Sequence, residues 1–192
     1  MSDPKGLWPL ADRTALPDDF IWLRDAFPRS RWAEAAVPQT ATHWLAMHDG
    51  FRQASRHMDQ VAGAYQAGNI DLRVFHDSLL PTLSRFLQHL DGHHNIETGH
   101  YFPVFRRIEP RIADGIDLLD RDHDAVHAQL ETLADRGNAL HHAVRSGGPD
   151  AADAAARTAD ALDTAGPGLL RHLEDEEDIV IPLLALKGDP HR

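Results

Sequence analysis

The sequence predicts an all-α chain: an up-down-up-down four-helix bundle over residues 38–187, preceded by an N-terminal arm over residues 1–37. Three observations predict it. From Pro38 onward, apolar residues recur at helical spacing in four long segments. Gly- and Pro-containing stops separate the segments, and short connections favour antiparallel neighbours. β-branched residues are sparse, and no alternating run suggests a strand.

The arm holds Pro4, Pro9, Pro17 and Pro28 and three of the four tryptophans. Pro17 followed by Asp18 and Asp19 suits the start of a short helix, because proline presets the first helical φ and acidic groups favour the positive end of the helix dipole. Trp8, Phe20, Trp22 and Phe27 are too apolar for a disordered tail. The arm is therefore expected to pack on the body or on the second subunit of a homodimer. Segment A, 39–66, ends at Ala67-Gly68-Asn69, and segment B, 71–101, ends at Pro103. Pro81 should kink segment B or mark a broken turn. Segment C, 113–145, ends at Ser146-Gly147-Gly148-Pro149, and segment D, 151–186, should be interrupted at Gly166-Pro167-Gly168.

Composition narrows the chemistry. The 192 residues, 42% hydrophobic, suffice for one sizeable core. The chain has no cysteine, which excludes disulfides, thiolate metal sites and cysteine nucleophiles. A formal net charge of −11 argues against nucleic acid and anionic membrane as partners. No apolar run reaches the roughly 18 residues that suggest a membrane span. The start, MSDPKGLWPL, lacks the basic and apolar stretches of a signal peptide, so a cytoplasmic location is expected. The anomaly is 14 histidines.

On helical wheels, those histidines fall on the core faces. Segment A carries His48 among Trp44, Phe51 and Met58; segment B carries Glu97, flanked by His93 and His94, among Leu83, Phe86 and Leu90. Segment C carries His123 and His127 among Leu119, Val126 and Leu130, and segment D carries His172 and Glu176 among Leu169, Leu173 and Val180. Each buried, unsatisfied polar group costs about 1–3 kcal/mol, against a typical stability of about 5–15 kcal/mol. Groups converging from four segments need a common partner. His93-x-x-x-Glu97 and His172-x-x-x-Glu176 each place a pair on one helical face, and each glutamate precedes a proline, Pro103 and Pro182, by the same spacing. That shared register favours His93 over His94, and Glu176 over Glu177. His123-x-x-x-His127 is a third pair. The candidate metal ligands are His48, His93, Glu97, His123, His127, His172 and Glu176. So many ligands, with carboxylates able to bridge, suit two metals. Imidazole and carboxylate without thiolate fit iron or manganese, and are compatible with zinc.

A lone histidine, then H-x3-E, H-x3-H and H-x3-E along four helices, resembles the hemerythrin-like (HHE cation-binding) domain over about 39–186. The resemblance implies two iron ions inside an up-down bundle, joined by carboxylates and an oxo or hydroxo group. It implies His48 and His93 on one iron, His123, His127 and His172 on the other, and Glu97 and Glu176 as bridges. The His48/His93 iron then keeps an open position.

Function follows from that open position. The chain is expected to bind or react with a small oxidant: O2, peroxide or nitric oxide. The alternative is iron handling or iron sensing without turnover, in which metal occupancy sets bundle stability. A purely structural bundle with polar core networks is the third class. Carriage and catalysis use the same open site, so enzyme status is left open. His89 and His100 are weighed as orienting partners of the ligands. The run from Glu174 to Asp178 is read as a solvated face apart from Glu176, and His141 and His142 as surface or second-cluster residues.

Overall fold

The computed structural model describes residues 9–32 and 37–189, and among them every regular element is helical. The arm consists of the 3-10 turns Leu10–Asp12 and Asp18–Phe20, the short helix α1 (Trp22–Ala26) and the turn Arg29–Arg31. Two long helices follow, α2 (Gln39–Gln66) and α3 (Leu72–Ile96). A π turn (Glu97–Tyr101), α4 (Phe102–Ile108) and the turn Pro110–Ile112 lead to α5 (Ala113–Ser146) and α6 (Ala151–Lys187). No helix is long and apolar enough to cross a membrane among the described residues.

Helix ends fall where the sequence places its stops. After α2, Gly68 adopts φ +72°, the Asn69 N–H reaches the Ala64 carbonyl, and the Gly68 N–H reaches Tyr65. That is the αL closure that glycine makes without a Cβ penalty. Two expectations change. Segment D is not interrupted: α6 runs through Gly166-Pro167-Gly168. Proline inside a helix costs about 3 kcal/mol, but Ala155 and Leu162 before it, and Leu169 and Leu173 after it, bury a common apolar face. Packing, more than propensity, holds such a helix. Segment B does not end at Pro103 either, because that proline sits in the first turn of α4, where no backbone N–H is required. α3 is likewise helical on both sides of Pro81.

The chain divides into two compact units. The first takes the described residues up to Asp49, His94–Ala125 and those from Gly168. Its core joins Phe20, Ile21 and Leu23 of the arm to Trp44, Phe102, Phe105, Ile116, Leu119, Val180 and Leu183. Phe27 is also buried and Trp22 is half-buried, whereas Trp8 lies outside the described residues. The second unit takes Gly50–His93 and Val126–Pro167. There Phe51 meets Phe86 edge-on at 6.2 Å and Tyr65 stacks on Phe75 at 4.6 Å. A Cβ on Gly137 would lie 3.0 Å from Leu83, so glycine lets α5 approach α3 closely.

Candidate metal centre

The first unit buries an unusual set of polar side chains. α2 supplies Trp44 and His48 one turn apart, and α5 supplies Asp122 and His123. α6 supplies His172, Asp175, Glu176 and Glu177. His94 lies in the last turn of α3, and Glu97 opens the π turn. An inserted π turn displaces the following residues around the helix axis, and such turns recur at functional sites.

Two groups of ligand atoms result within this unit, each within 4.8 Å: His94, His123 and His172; and His48, Glu97 and Glu176. The carboxylates face both groups. Glu176 Oε1 lies 3.5 Å from His48 Nε2, and its Oε2 lies 3.4 Å from His172 Nε2. Glu97 Oε2 lies 3.5 Å from His123 Nε2. His94 stacks on His123 with ring centres 4.0 Å apart, and both rings meet His172 edge-on.

The imidazoles are oriented from behind. Glu177 Oε1 lies 3.1 Å from His48 Nδ1. The Thr98 hydroxyl donates to Asp120 at 2.7 Å and lies 2.9 Å from His123 Nδ1, so it accepts the proton of that nitrogen and leaves Nε2 facing the centre. Asp122 Oδ2 lies 3.6 Å from His172 Nδ1. The Trp44 indole N–H donates to Glu176 Oε1. Phe102 stacks on His123, and Tyr101 and Phe105 pack about Trp44, which gives these groups an apolar surround.

The arm seals this arrangement. Arg13 is fully buried and paired with Asp122 and, at 2.7 Å, with Asp175. Arg29 reaches Asp178 at 2.7 Å and Glu177 at 3.2 Å, and Arg24 reaches Asp178 at 3.1 Å. The run from Glu174 to Asp178 is therefore not a solvated face: all but Glu174 are buried, because arginines of the arm lie over it. Sequence reasoning missed these contacts because they join residues more than 100 positions apart.

His48, Glu97, His123, His172 and Glu176 all belong to one group or the other, and His93 is buried in the second unit. His127 belongs to neither; it is half-buried in the second unit, with Nδ1 3.4 Å from Asp91. His94 takes the third position beside His123 and His172. His93 and His94 are both buried, so the shared register does not separate them. His89 and His100 are exposed; the orienting groups are Thr98, Asp122 and Glu177 instead.

Burial, then the neighbouring Glu176 carboxylate, pushes Glu97 well above the usual carboxylate range. Burial acts against the charged form of His172, but the Asp122 and Glu176 carboxylates outweigh it and lift its pKa to about 9. His48 is also raised: burial opposes its charge, and Glu176 and Glu177 favour it. Glu176 ends well below its usual value, because His48 and His172 overcome its burial. His48, His172 and Glu97 thus hold their protons more tightly than usual around the Glu176 carboxylate. His172 Nε2 and Glu176 Oε2 are buried, yet at 3.4 Å they are too far apart for a good hydrogen bond. Imidazole nitrogens and carboxylate oxygens without thiolate are the donor set of a borderline-to-hard transition metal. The residues fit a bound cation.

The family model described as the hemerythrin HHE cation-binding domain matches residues 39–184. The chain belongs to this hemerythrin family. The match spans the four long helices and leaves the arm outside. No curated protein and no solved structure matches the chain significantly. In this hemerythrin-family chain, the buried His/Glu groups lie within the matched residues, whereas Arg13, which backs them, does not.

Proposed function

We propose that the chain is a non-haem di-iron protein that binds or reacts with a small oxidant: O2, peroxide or nitric oxide. The observation that carries this reading is the pair of buried carboxylates shared between two sets of imidazoles. In this proposal His48 and His93 hold one iron, His94, His123 and His172 hold the other, and Glu97 and Glu176 are shared, on helices in up-down order. Bound iron supplies the electrons for binding or reducing the oxidant.

The protein's own residues do the remaining work. Glu177, Thr98 and Asp122 set the direction of the imidazoles. Trp44 holds one oxygen of Glu176. Trp44, Tyr101, Phe102 and Phe105 form an apolar surround that favours small neutral gases over bulky polar substrates. His48 and His172 are the sites from which binding of a cation expels protons.

The test is metal quantification and an absorption spectrum on protein purified without added metal, followed by stopped-flow mixing of the anaerobic ferrous protein with each oxidant. About two irons per chain and a spectral change with at least one oxidant are expected. Two irons with no response to any of the three would replace this reading with iron handling or sensing. No first-row metal, and no uptake of ferrous ion, would end it.

A further inference from the structure

A second histidine cluster lies wholly in the second unit. His76 on α3 and His141 on α5 stack with ring centres 5.3 Å apart and planes 17° apart. Their facing nitrogens, His76 Nε2 and His141 Nδ1, are 3.1 Å apart. On its other side, His76 Nδ1 meets Asp77 Oδ1 at 2.7 Å, while Asp77 Oδ2 lies 3.7 Å from Arg73. A carboxylate accepts but does not donate, so Asp77 keeps the proton on Nδ1 and leaves the Nε2 lone pair facing His141. His142 follows on α5, its ring centre 6.0 Å from that of His141.

We propose that His76 and His141 form a separate surface site for a late first-row divalent cation such as Ni2+ or Zn2+. The spacing supports it. Two nitrogens 3.1 Å apart, each bonded at about 2.0–2.1 Å, subtend about 100° at a cation, between square and tetrahedral values. The Asp77–His76 contact is the carboxylate–histidine arrangement that orients metal-bound imidazoles. Access is open. His141 is exposed and lines a groove of about 310 Å³ with Leu80, Leu83 and Leu87, so water fills the remaining positions around the ion. Neither histidine belongs to the buried groups, so this site stands or falls independently of the di-iron reading.

The untagged full-length protein, carrying its own metal, is dialysed against Ni2+ alone, and bound nickel and iron are counted by elemental analysis. Wild type is expected to hold one more Ni2+ per chain than His141→Ala or the His76→Ala/His141→Ala double variant, with equal iron in all three. Asp77→Asn is expected to weaken nickel binding about tenfold, and His142→Ala to retain it. Equal nickel in wild type and the double variant, or no nickel on wild type, overturns the site. Unchanged affinity in Asp77→Asn overturns the role given to Asp77.

Discussion

Trp44 donates its indole N–H to Glu176 Oε1, and so holds in place the carboxylate that faces His48 on one side and His172 on the other. The bond joins α2 to α6 inside a buried apolar cluster, where an amide-like donor has no water to replace its partner. Trp44→Phe keeps most of the packing and removes the donor. On the di-iron reading, iron affinity is expected to fall about 10–100-fold, the usual cost of losing an outer partner of a metal ligand. Competition against a chelator measures it, and helical circular dichroism should change little.

Thr98 performs the same service for His123. Its hydroxyl accepts from Nδ1 and donates to Asp120, and an exposed threonine is tolerant of replacement. Thr98→Val preserves shape and deletes both bonds. On the di-iron reading, one of the two irons is expected to become labile to chelator, and Thr98→Ser is expected to restore it. Iron retention in Thr98→Val equal to wild type would remove Thr98 from the centre.

Arg13 tests the arm. Its buried guanidinium answers Asp122 and Asp175, and Arg171 also reaches Asp175 at 2.6 Å. Arg13→Met therefore leaves Asp122 with only His172, 3.6 Å away, opposite its charge. Breaking a buried pair costs about 3–5 kcal/mol, and a loss near the lower figure is expected in chemical denaturation. Adding Asp122→Asn should recover part of that loss, because the orphaned charge is then gone.

The long helices and most of the buried groups were legible because period and spacing are local. An i,i+4 pair such as His172 and Glu176 shares a face whatever the tertiary packing. Segments A, C and D read from stops agree with α2, α5 and α6 to within one residue at each end. The π turn at Glu97 was not legible. It shifts the register of the residues that follow Glu97, while on α3 wheel geometry left His93 and His94 straddling the apolar stripe alike. The burial of Asp175, Glu177 and Asp178 was hidden for another reason. Acidic residues in a run look solvated until distant arginines, here Arg13, Arg24 and Arg29, are folded over them.

The metal-free protein should show a distinctive pH dependence. The pKa of His172 is about 9 in the folded chain, against a reference near 6.5. A raised histidine pKa means that the folded state binds the proton more tightly. Its contribution is therefore complete below about pH 6.5 and disappears as pH rises through 9. The shift corresponds to about 3 kcal/mol. Denaturant melts of chelator-treated protein between pH 6 and 9.5 should lose stability in that window. In His172→Gln the slope should flatten. Iron-loaded protein should lack it too, because the cation has taken the place of the proton.

The sharpest discrimination lies between two histidines on different helices. His94 is buried, stacked 4.0 Å from His123 and grouped with His172, whereas His127 is half-buried opposite Asp91. A ligand must bring a lone pair within about 2.1 Å of the ion, so a ring outside the group does not serve without rearrangement. His94→Ala is expected to retain about one iron per chain and lose the other, and its oxidant response should change with the lost ion. His127→Ala is expected to keep two irons and the wild-type spectrum. Metal counts on the two variants, purified side by side, decide it. Loss of iron in His127→Ala with full retention in His94→Ala would restore His127 as the ligand on α5, and would mean that this helix turns one face further toward the centre when iron is bound.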